Sequence, residues 1–270
     1  MVEMKSLGTF FNPFRTDISS LKKERDRIRK MDVGHIEILL DHYRFLDPSG
    51  NEIKDLKSAT SEWDRIIHAP FVNITVVHPN KNITEAGTRT LKSCIEAARV
   101  LDSKLVTFHG GAYPFYIEDK ELIHDIFNES ASELADFADS YGIRMSTENL
   151  PPSRRTRASF PSNIEETRKV LEDNPRIGFT LDIGHIIENR ENITDYIDEF
   201  RSRVTNFHIH DSDGTKSHIG IGKGNIDFQT LMKKLKSTNA YLTLEILKDE
   251  DVPDSFNALR EMLLQKACDE

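Results

Sequence analysis

The amino-acid sequence predicts an α/β fold, a single (β/α)8 barrel domain spanning residues 1–270. Three observations support this prediction. The chain has 270 residues, which is about the usual size of one such barrel. Short apolar segments recur at intervals of 27 to 39 residues, the length of one strand, one crossover helix and their loops. Helical patterns lie between these segments.

Eight strands are predicted, each from a short run rich in Val, Ile, Leu, Phe and Thr. They begin near residues 5, 35, 72, 104, 143, 177, 204 and 241. The third is the run FVNITVV, which would place His68 just ahead of that strand. Strict alternation of strand and helix favours a parallel sheet, and eight repeats favour closure into a barrel. An open doubly wound sheet is the alternative, but it requires a glycine-rich phosphate loop after the first strand, and FFNPFR is not one.

Helices are predicted from apolar residues that share one helical face. One such face is formed by Leu91, Ile95, Ala98 and Leu101. Ser162 with Glu165 predicts a capping box at the start of a later helix. Asp227 is placed to cap the helix that carries Phe228.

The composition is that of an ordinary soluble protein, with 37% hydrophobic and 30% charged residues. The formal net charge of −9 argues against non-specific binding of nucleic acid, which usually requires a basic face. The two cysteines, Cys94 and Cys268, are far apart, so we expect no disulfide framework and a cytoplasmic location. No apolar run is long enough for a membrane span or a signal peptide, so we expect no membrane partner.

Acidic and imidazole side chains follow the last four predicted strands. They are Glu148 in STENLPP, Asp182 and His185 in LDIGH, His208 in NFHIHDSDG, and Glu245 in LTLEIL. A lone acid at a strand end is usually a helix cap or an arginine partner. The carboxyl ends of parallel barrel strands meet at one face, however, so four such residues on four successive strands predict a metal site. Two Glu, one Asp and one His suit Mn²⁺, Mg²⁺ or Zn²⁺ and leave positions open for substrate.

A second set of candidate ligands comprises His68, His109 and His218, each at or after a strand end. These residues are either ligands of further metal ions or hydrogen-bonded neighbours of the first set. The glycine-rich stretch HIHDSDGTKSHIGIGKGNIDF is predicted to bring His218 and Lys216 over the metal and the substrate. The alternative is a flexible connector without a role in binding.

Three arginines, Arg154, Arg155 and Arg157, follow Glu148 within one loop. Their guanidinium groups are suited to bind a phosphate or carboxylate of the substrate at the mouth of the barrel. The alternative is that they form a solvated charged surface.

Several motifs in this sequence resemble those of a known superfamily. They are HAPF, TFHGG, TENLPP, FTLDIGH, FHIHDSDG, HIGIGKGNIDF and LEIL. Together they resemble the xylose isomerase-like TIM-barrel superfamily of sugar isomerases and epimerases, of which endonuclease IV is a distant branch. In the isomerases and epimerases the resemblance implies one divalent ion held by Glu148, Asp182, His208 and Glu245, with His185 in contact with the substrate.

The endonuclease branch implies a larger set that holds three zinc ions. It would comprise His68, His109, Glu148, Asp182, His185, His208, His218 and Glu245. That branch also has a carboxylate two residues before the histidine that matches His218, and here the position is Lys216. A cation there disfavours the third metal ion, and no basic, aromatic-rich insertion for DNA binding is evident.

The sequence therefore predicts a metal-dependent isomerase or epimerase of a sugar or sugar phosphate that works through an enediolate. Glu148 and Glu245 would exchange the proton on opposite sides of the substrate carbon, and His185 would orient or polarise an oxygen. A multi-metal phosphodiesterase acting on abasic DNA is the alternative, and a barrel that binds a sugar or metal without turnover is a third. The expected partner is a small-molecule sugar, and the sequence leaves a homo-oligomer open.

Overall fold

The computed structural model describes residues 7–13, 17–152, 155–235 and 238–264. Eight parallel strands close into a barrel in the order β1-β10-β9-β8-β6-β4-β3-β2, and β5 pairs with β7 in a separate antiparallel sheet. The strands are β1 Leu7–Phe11, β2 His35–Leu39, β3 Asp64–His68, β4 Leu105–Phe108, β5 Gly111–Pro114, β6 Arg144–Glu148, β7 Arg157–Phe160, β8 Gly178–Asp182, β9 Val204–Ile209 and β10 Tyr241–Leu244. The predicted barrel fold is confirmed.

Helices connect the strands and cover the outside of the barrel. They are α1 Ile18–Ile28, α2 Asn51–Ala59, α3 Lys81–Val100, α4 Lys120–Asp139, α5 Ile164–Asp173, α6 Ile183–Glu188, α7 Ile193–Phe200, α8 Phe228–Leu235 and α9 Val252–Leu264. Short 3₁₀ helices span Tyr43–Leu46 and Asp249–Asp251. In the ranges given above, no helix combines the length and the apolar character needed to cross a bilayer.

The helix patterns are largely reproduced, with one shift of register. The apolar face predicted within α3 is buried against the barrel. Asp227 accepts the backbone N–H groups of Gln229 and Thr230 at the start of α8, as predicted. At α5 the cap is Asn163, and Glu166 accepts the N–H of Ser162. The predicted pairing with Glu165 is therefore wrong by one position, because the helix begins at Ile164.

The third strand lies earlier in the chain than the sequence predicts. It spans Asp64–His68, whereas FVNITVV forms part of the loop between β3 and α3. Phe71 and Val72 are exposed, and Asn73 has a positive φ of 60°, which is incompatible with a regular strand. An apolar run that lines a cleft was mistaken for a buried strand. As a consequence His68 is the last residue of β3 and lies at the same end of the barrel as the other predicted site residues.

A layer of hydroxyl groups fills the barrel interior. Thr180 Oγ1 lies 3.0 Å from Thr107 Oγ1 and 2.8 Å from Ser146 Oγ, and Ser146 Oγ lies 2.7 Å from Thr205 Oγ1. Inward-facing residues of a barrel stack in such layers, and these partners satisfy one another's hydrogen bonds. The strand ends that carry the ionisable residues therefore rest on a layer of mutually hydrogen-bonded hydroxyl groups.

Candidate metal centre and adjoining cleft

Four predicted ligands converge at the carboxyl end of the barrel. Glu148 and Asp182 end β6 and β8, His208 lies in β9, and Glu245 directly follows β10. Asp182 of β8 is paired with His208 of β9, so the two residues lie at the same height along the barrel axis. The ligand atoms of all four residues lie within 4.8 Å of one another. His208 Nδ1 is 3.4 Å from Glu148 Oε2 and 3.0 Å from Glu245 Oε2.

The hydrogen bonding of this cluster is incomplete in a way that fits a cation. His208 Nδ1 and Glu245 Oε2 are buried and have no hydrogen-bond partner, although they face each other. A buried polar atom without a hydrogen-bond partner requires an explanation, and an ion site is one of those that occur in proteins. Both belong to the predicted ligand set. Three carboxylates and one imidazole also form the donor set that Mn²⁺, Mg²⁺ or Zn²⁺ accepts, so the residues fit a divalent ion.

The carboxylates are held in the ionised form that metal binding requires. Burial alone would raise the pKa of Glu148, but the neighbouring His208 and His109 outweigh this and hold that pKa well below its ordinary value. Burial alone would also raise the pKa of Glu245, but the neighbouring His218 and His208 lower this pKa to about 2. Both groups are therefore charged at neutral pH, which is the state that binds a cation.

Glu37, in the middle of β2, fixes the orientation of His208. His208 Nε2–H donates to Glu37 Oε2 over 3.1 Å, and Asn206 Nδ2 donates to the same oxygen over 2.7 Å. With Nε2 engaged, Nδ1 faces the cluster and is the ring nitrogen left for a metal ion. The sequence analysis missed Glu37 because it considered only strand ends. The signal was the alternation in HIEIL, which places a charged side chain inside the barrel.

Replacing Glu37 by Gln is expected to weaken metal binding about 10–100-fold. The amide nitrogen of Gln would lie against His208 Nε2–H, which is 3.2 Å from Glu37 Oε1 in the parent, and the substitution also removes the negative charge, so His208 is held less firmly toward the cluster. Competition with a chromogenic chelator measures the affinity. Glu62→Gln, which alters an exposed ion pair with Arg29, is the matched control and should bind metal as the parent does. An unchanged affinity in Glu37→Gln would contradict this role.

His210 is a second residue that the sequence analysis did not assign to the site. Its Nδ1 accepts the backbone N–H of His218 over 2.8 Å, so Nε2 carries the hydrogen and donates to Asp182 Oδ2 over 2.9 Å. The rings of His210 and His218 stack with centroids 4.1 Å apart. A Cβ on Gly184 would lie 2.0 Å from His210 Cε1, so only glycine fits there. His210 thus holds Asp182 in place and seats His218.

His68 and His109, from the second predicted set, both contact Glu148. His68 Nδ1–H donates to the carbonyl oxygen of Ala69, and His68 Nε2 lies 3.3 Å from Glu148 Oε2. His109 Nε2 lies 3.1 Å from the same oxygen. His68, Glu148 and His208 also offer ligand atoms within 4.8 Å of one another. The structure therefore brings this set to the cluster, where its members neighbour the first four residues.

His185 presents one ring nitrogen to the cleft. Its backbone N–H is capped by Asp182, and its Nδ1–H donates to the carbonyl oxygen of Asn149 over 3.0 Å. Nε2 faces His218 Nε2 at 3.3 Å. Burial lowers the pKa of His185, but the carboxylates of Asp182 and Glu148 outweigh it and raise this pKa to about 9. The protonated ring can therefore donate a hydrogen bond from Nε2.

The glycine-rich loop after β9 is folded around one carboxylate. Asp211 accepts backbone N–H groups from four loop residues, namely Ser212, Gly222, Gly224 and Ile226. A Cβ on Gly224 would lie 2.4 Å from Asp211 Oδ1, so glycine permits this close approach. The ordered loop brings His218 to the cluster. Lys216 instead lies exposed in a turn where Asp213 accepts its N–H, and it does not line the cleft.

A cleft of about 720 Å³ opens from the cluster. It is lined by His68, Phe71, Asn73, Ile74, Thr75, His78, Ile83, His109, Gly111, Ala112, Tyr113, Pro114, Tyr116, Glu148, Leu150, Pro151, Thr156, Arg157, Ser159, His185, His218 and Glu245. The loop after β3 and the β5–β7 sheet supply most of this lining.

The predicted arginine group is divided by the structure. Arg157, the first residue of β7, lines the cleft. Arg155 is exposed and lies outside the lining, because it precedes β7 in a turn. Arg154 lies outside the described residues. Of the described lining residues, Arg157 is the one Lys or Arg.

Comparison with known proteins gives consistent results. A family model described as xylose isomerase-like TIM barrel matches residues 25–266. Protein MJ1311 of Methanocaldococcus jannaschii is 27% identical over 90% of this chain and 85% of its own length. An inosose isomerase of Bacillus velezensis is 25% identical over 86% and 85% of the two chains. The crystal structure of a D-tagatose 3-epimerase-like protein, 24% identical, has the same fold, with a TM-score of 0.84 over 97% of this chain and 99% of that one.

Proposed function

Because the chain belongs to the xylose isomerase-like TIM barrel family, we propose that it is a divalent-metal-dependent isomerase or epimerase of sugars or related ketones. The observation that carries this proposal is the convergence of Glu148, Asp182, His208 and Glu245, with two orphaned ligand atoms, at the base of a cleft. The similarity to an inosose isomerase supports a substrate with adjacent carbonyl and hydroxyl groups.

The four clustered residues would hold the ion, which when bound supplies Lewis-acid stabilisation of negative charge on the substrate oxygens. Glu148 and Glu245 approach from β6 and β10, which flank β8 and β9. A substrate between them would have a carboxylate on each side of its reacting carbon. One carboxylate takes the proton next to the carbonyl, forming an enediolate, and the same or the other one returns it.

The low pKa of Glu245, about 2, makes this carboxylate a weak base. The C–H bond must therefore be made more acidic by stabilising charge on the neighbouring oxygen. His185 is placed for this, because its Nε2 faces the cleft beside His218 and its ring is protonated at neutral pH. A hydrogen bond from Nε2–H to the carbonyl oxygen would orient the substrate and draw electron density from the reacting carbon.

Exchange of a substrate proton with solvent tests this function directly. In D₂O, the Mn²⁺-loaded protein should introduce deuterium next to the carbonyl group of a suitable ketose or keto-inositol. Treatment with a chelator should stop the exchange, and added Mn²⁺ should restore it. NMR of a substrate panel measures the incorporation. Chelator-sensitive incision of an abasic-site DNA duplex, without exchange on any sugar, would contradict the proposal.

One observation favours a multi-metal phosphodiesterase as the second candidate. His68, His109 and His218 line the same cleft as Glu148 and Glu245, two of the four clustered residues. Against it, Lys216 occupies the position of the expected carboxylate, and the chain has a net charge of −9. Elemental analysis separates the two candidates, since the isomerase needs one ion per chain and the phosphodiesterase two or three.

A further inference from the structure

The cleft extends well beyond the ionisable cluster, and apolar side chains contribute much of its lining. Phe71, Ile74, Ile83, Tyr116 and Leu150 belong to this apolar part. Its volume of about 720 Å³ falls in the range of pockets that enclose a drug-sized ligand. A free monosaccharide carries hydroxyl groups on every side and is far smaller. Such a molecule would occupy the polar end and leave the apolar walls in contact with water.

Two aromatic side chains on these walls are notably exposed. Phe71 is 39% exposed and Tyr116 is 69% exposed. Exposed apolar side chains grouped around a cleft mark a binding surface. The Phe71 ring lies 5.1 Å from that of His109 and 5.5 Å from that of His68, and both histidines contact Glu148. The apolar wall is therefore continuous with the candidate metal centre, so one molecule can occupy both.

We infer that the substrate is a ketose derivative that carries an apolar substituent, an alkyl or aryl group joined through oxygen or nitrogen. This inference rests on the proposed function. The ketose part would lie at Glu148 and Glu245, and the substituent would contact the apolar lining that includes Phe71 and Tyr116. A phosphorylated sugar fits less well, because Arg157 is the one permanently cationic side chain on the described lining.

Two matched ligands test the inference, 6-O-methyl-D-fructose and 6-O-benzyl-D-fructose, which differ in their apolar group alone. Binding of each to the Mn²⁺-loaded protein is measured by titration calorimetry. We expect the benzyl ether to bind about tenfold or more tightly, since it buries an aromatic ring that the methyl ether lacks. Tyr116→Ala should remove much of this preference. Tyr43→Ala, which changes a tyrosine that is 70% exposed and lies outside the cleft, should retain it.

Equal affinities for the two ethers, or no binding of either, would overturn the inference. So would loss of the preference in both tyrosine variants, because the effect would then not arise in the cleft. Dissociation of a dimer by Tyr116→Ala, seen by light scattering, would show that a second copy covers these walls and would also overturn it. Deuterium exchange on the same ethers separates the two proposals. Equal deuterium exchange on the two ethers would support the proposed isomerase function and reject the inferred apolar substituent. Absence of exchange on any ketose would reject the isomerase function itself.

Discussion

Replacing Glu245 by Gln is expected to lower the rate of proton exchange by about 10²–10⁴-fold, the usual contribution of a general acid or base. Gln keeps the size of the side chain but can neither take up a proton nor give the charge that a cation requires. Metal affinity should fall as well, by about tenfold or more, because losses of this size follow even from changes to residues that only support a ligand. Glu245 Oε2 is the atom that faces His208 Nδ1 within the cluster, so the loss of its charge falls directly on the candidate ion site.

Kinetics at saturating Mn²⁺ separate the two effects. If Glu245 both binds the ion and moves the proton, added Mn²⁺ restores occupancy but not the rate. Glu250→Gln, at an exposed position of the nearby 3₁₀ helix, is the matched control and should leave both properties unchanged. A full rate in Glu245→Gln once Mn²⁺ is saturating would show that this residue is a ligand alone.

Replacing Asp211 by Ala is expected to destabilise the protein by ~3 kcal/mol. Its buried carboxylate accepts backbone N–H groups from four residues, and each buried donor left without a partner costs about 1–3 kcal/mol. The expected loss of unfolding free energy is smaller than the sum of these four costs, because the loop can open and let water reach the freed N–H groups. Urea denaturation measures the loss, and faster hydrogen exchange confined to residues 212–226 would locate it in the loop.

Asp213→Ala is the control for this experiment. The Asp213 carboxylate also accepts several hydrogen bonds, from Thr215 and Lys216, but it is exposed, so water can replace it. We expect a change within about 0.5 kcal/mol, as for most surface substitutions. Equal losses in the two variants would refute the view that Asp211 organises the loop.

The sequence predicts the barrel and the four clustered residues because both depend on local signals. Glu148, Asp182, His208 and Glu245 each stand where an apolar run ends, and a parallel barrel brings such ends together. The same reasoning misplaced the third strand. DRIIH begins with two charged residues, whereas FVNITVV has the apolar composition of a strand. An apolar run does not reveal whether it is buried in a sheet or lines a cleft.

Residues that act through others could not be found in this way. Glu37 lies mid-strand, and its importance appears once β2 is seen across the barrel from His208. The role of His210 depends on Asp182, 28 positions away, and on the backbone of His218. Conversely, Lys216 and Arg155 stand near the site in sequence but point elsewhere, because tight turns decide their direction. Spacing along the chain carries no information on these contacts.

The walls of the cleft and the ionisable cluster come from different parts of the chain. The loop after β3 and the strands β5 and β7 supply most of the walls, whereas the cluster belongs to the ends of β6, β8, β9 and β10. Under the proposed function, substrate recognition and proton transfer would therefore depend largely on different segments of the chain. New loops after β3, β4 and β6 could then be introduced to change substrate specificity, while the four clustered residues are kept unchanged. Gene duplication followed by divergence in those three connections gives evolution the same route to a new substrate.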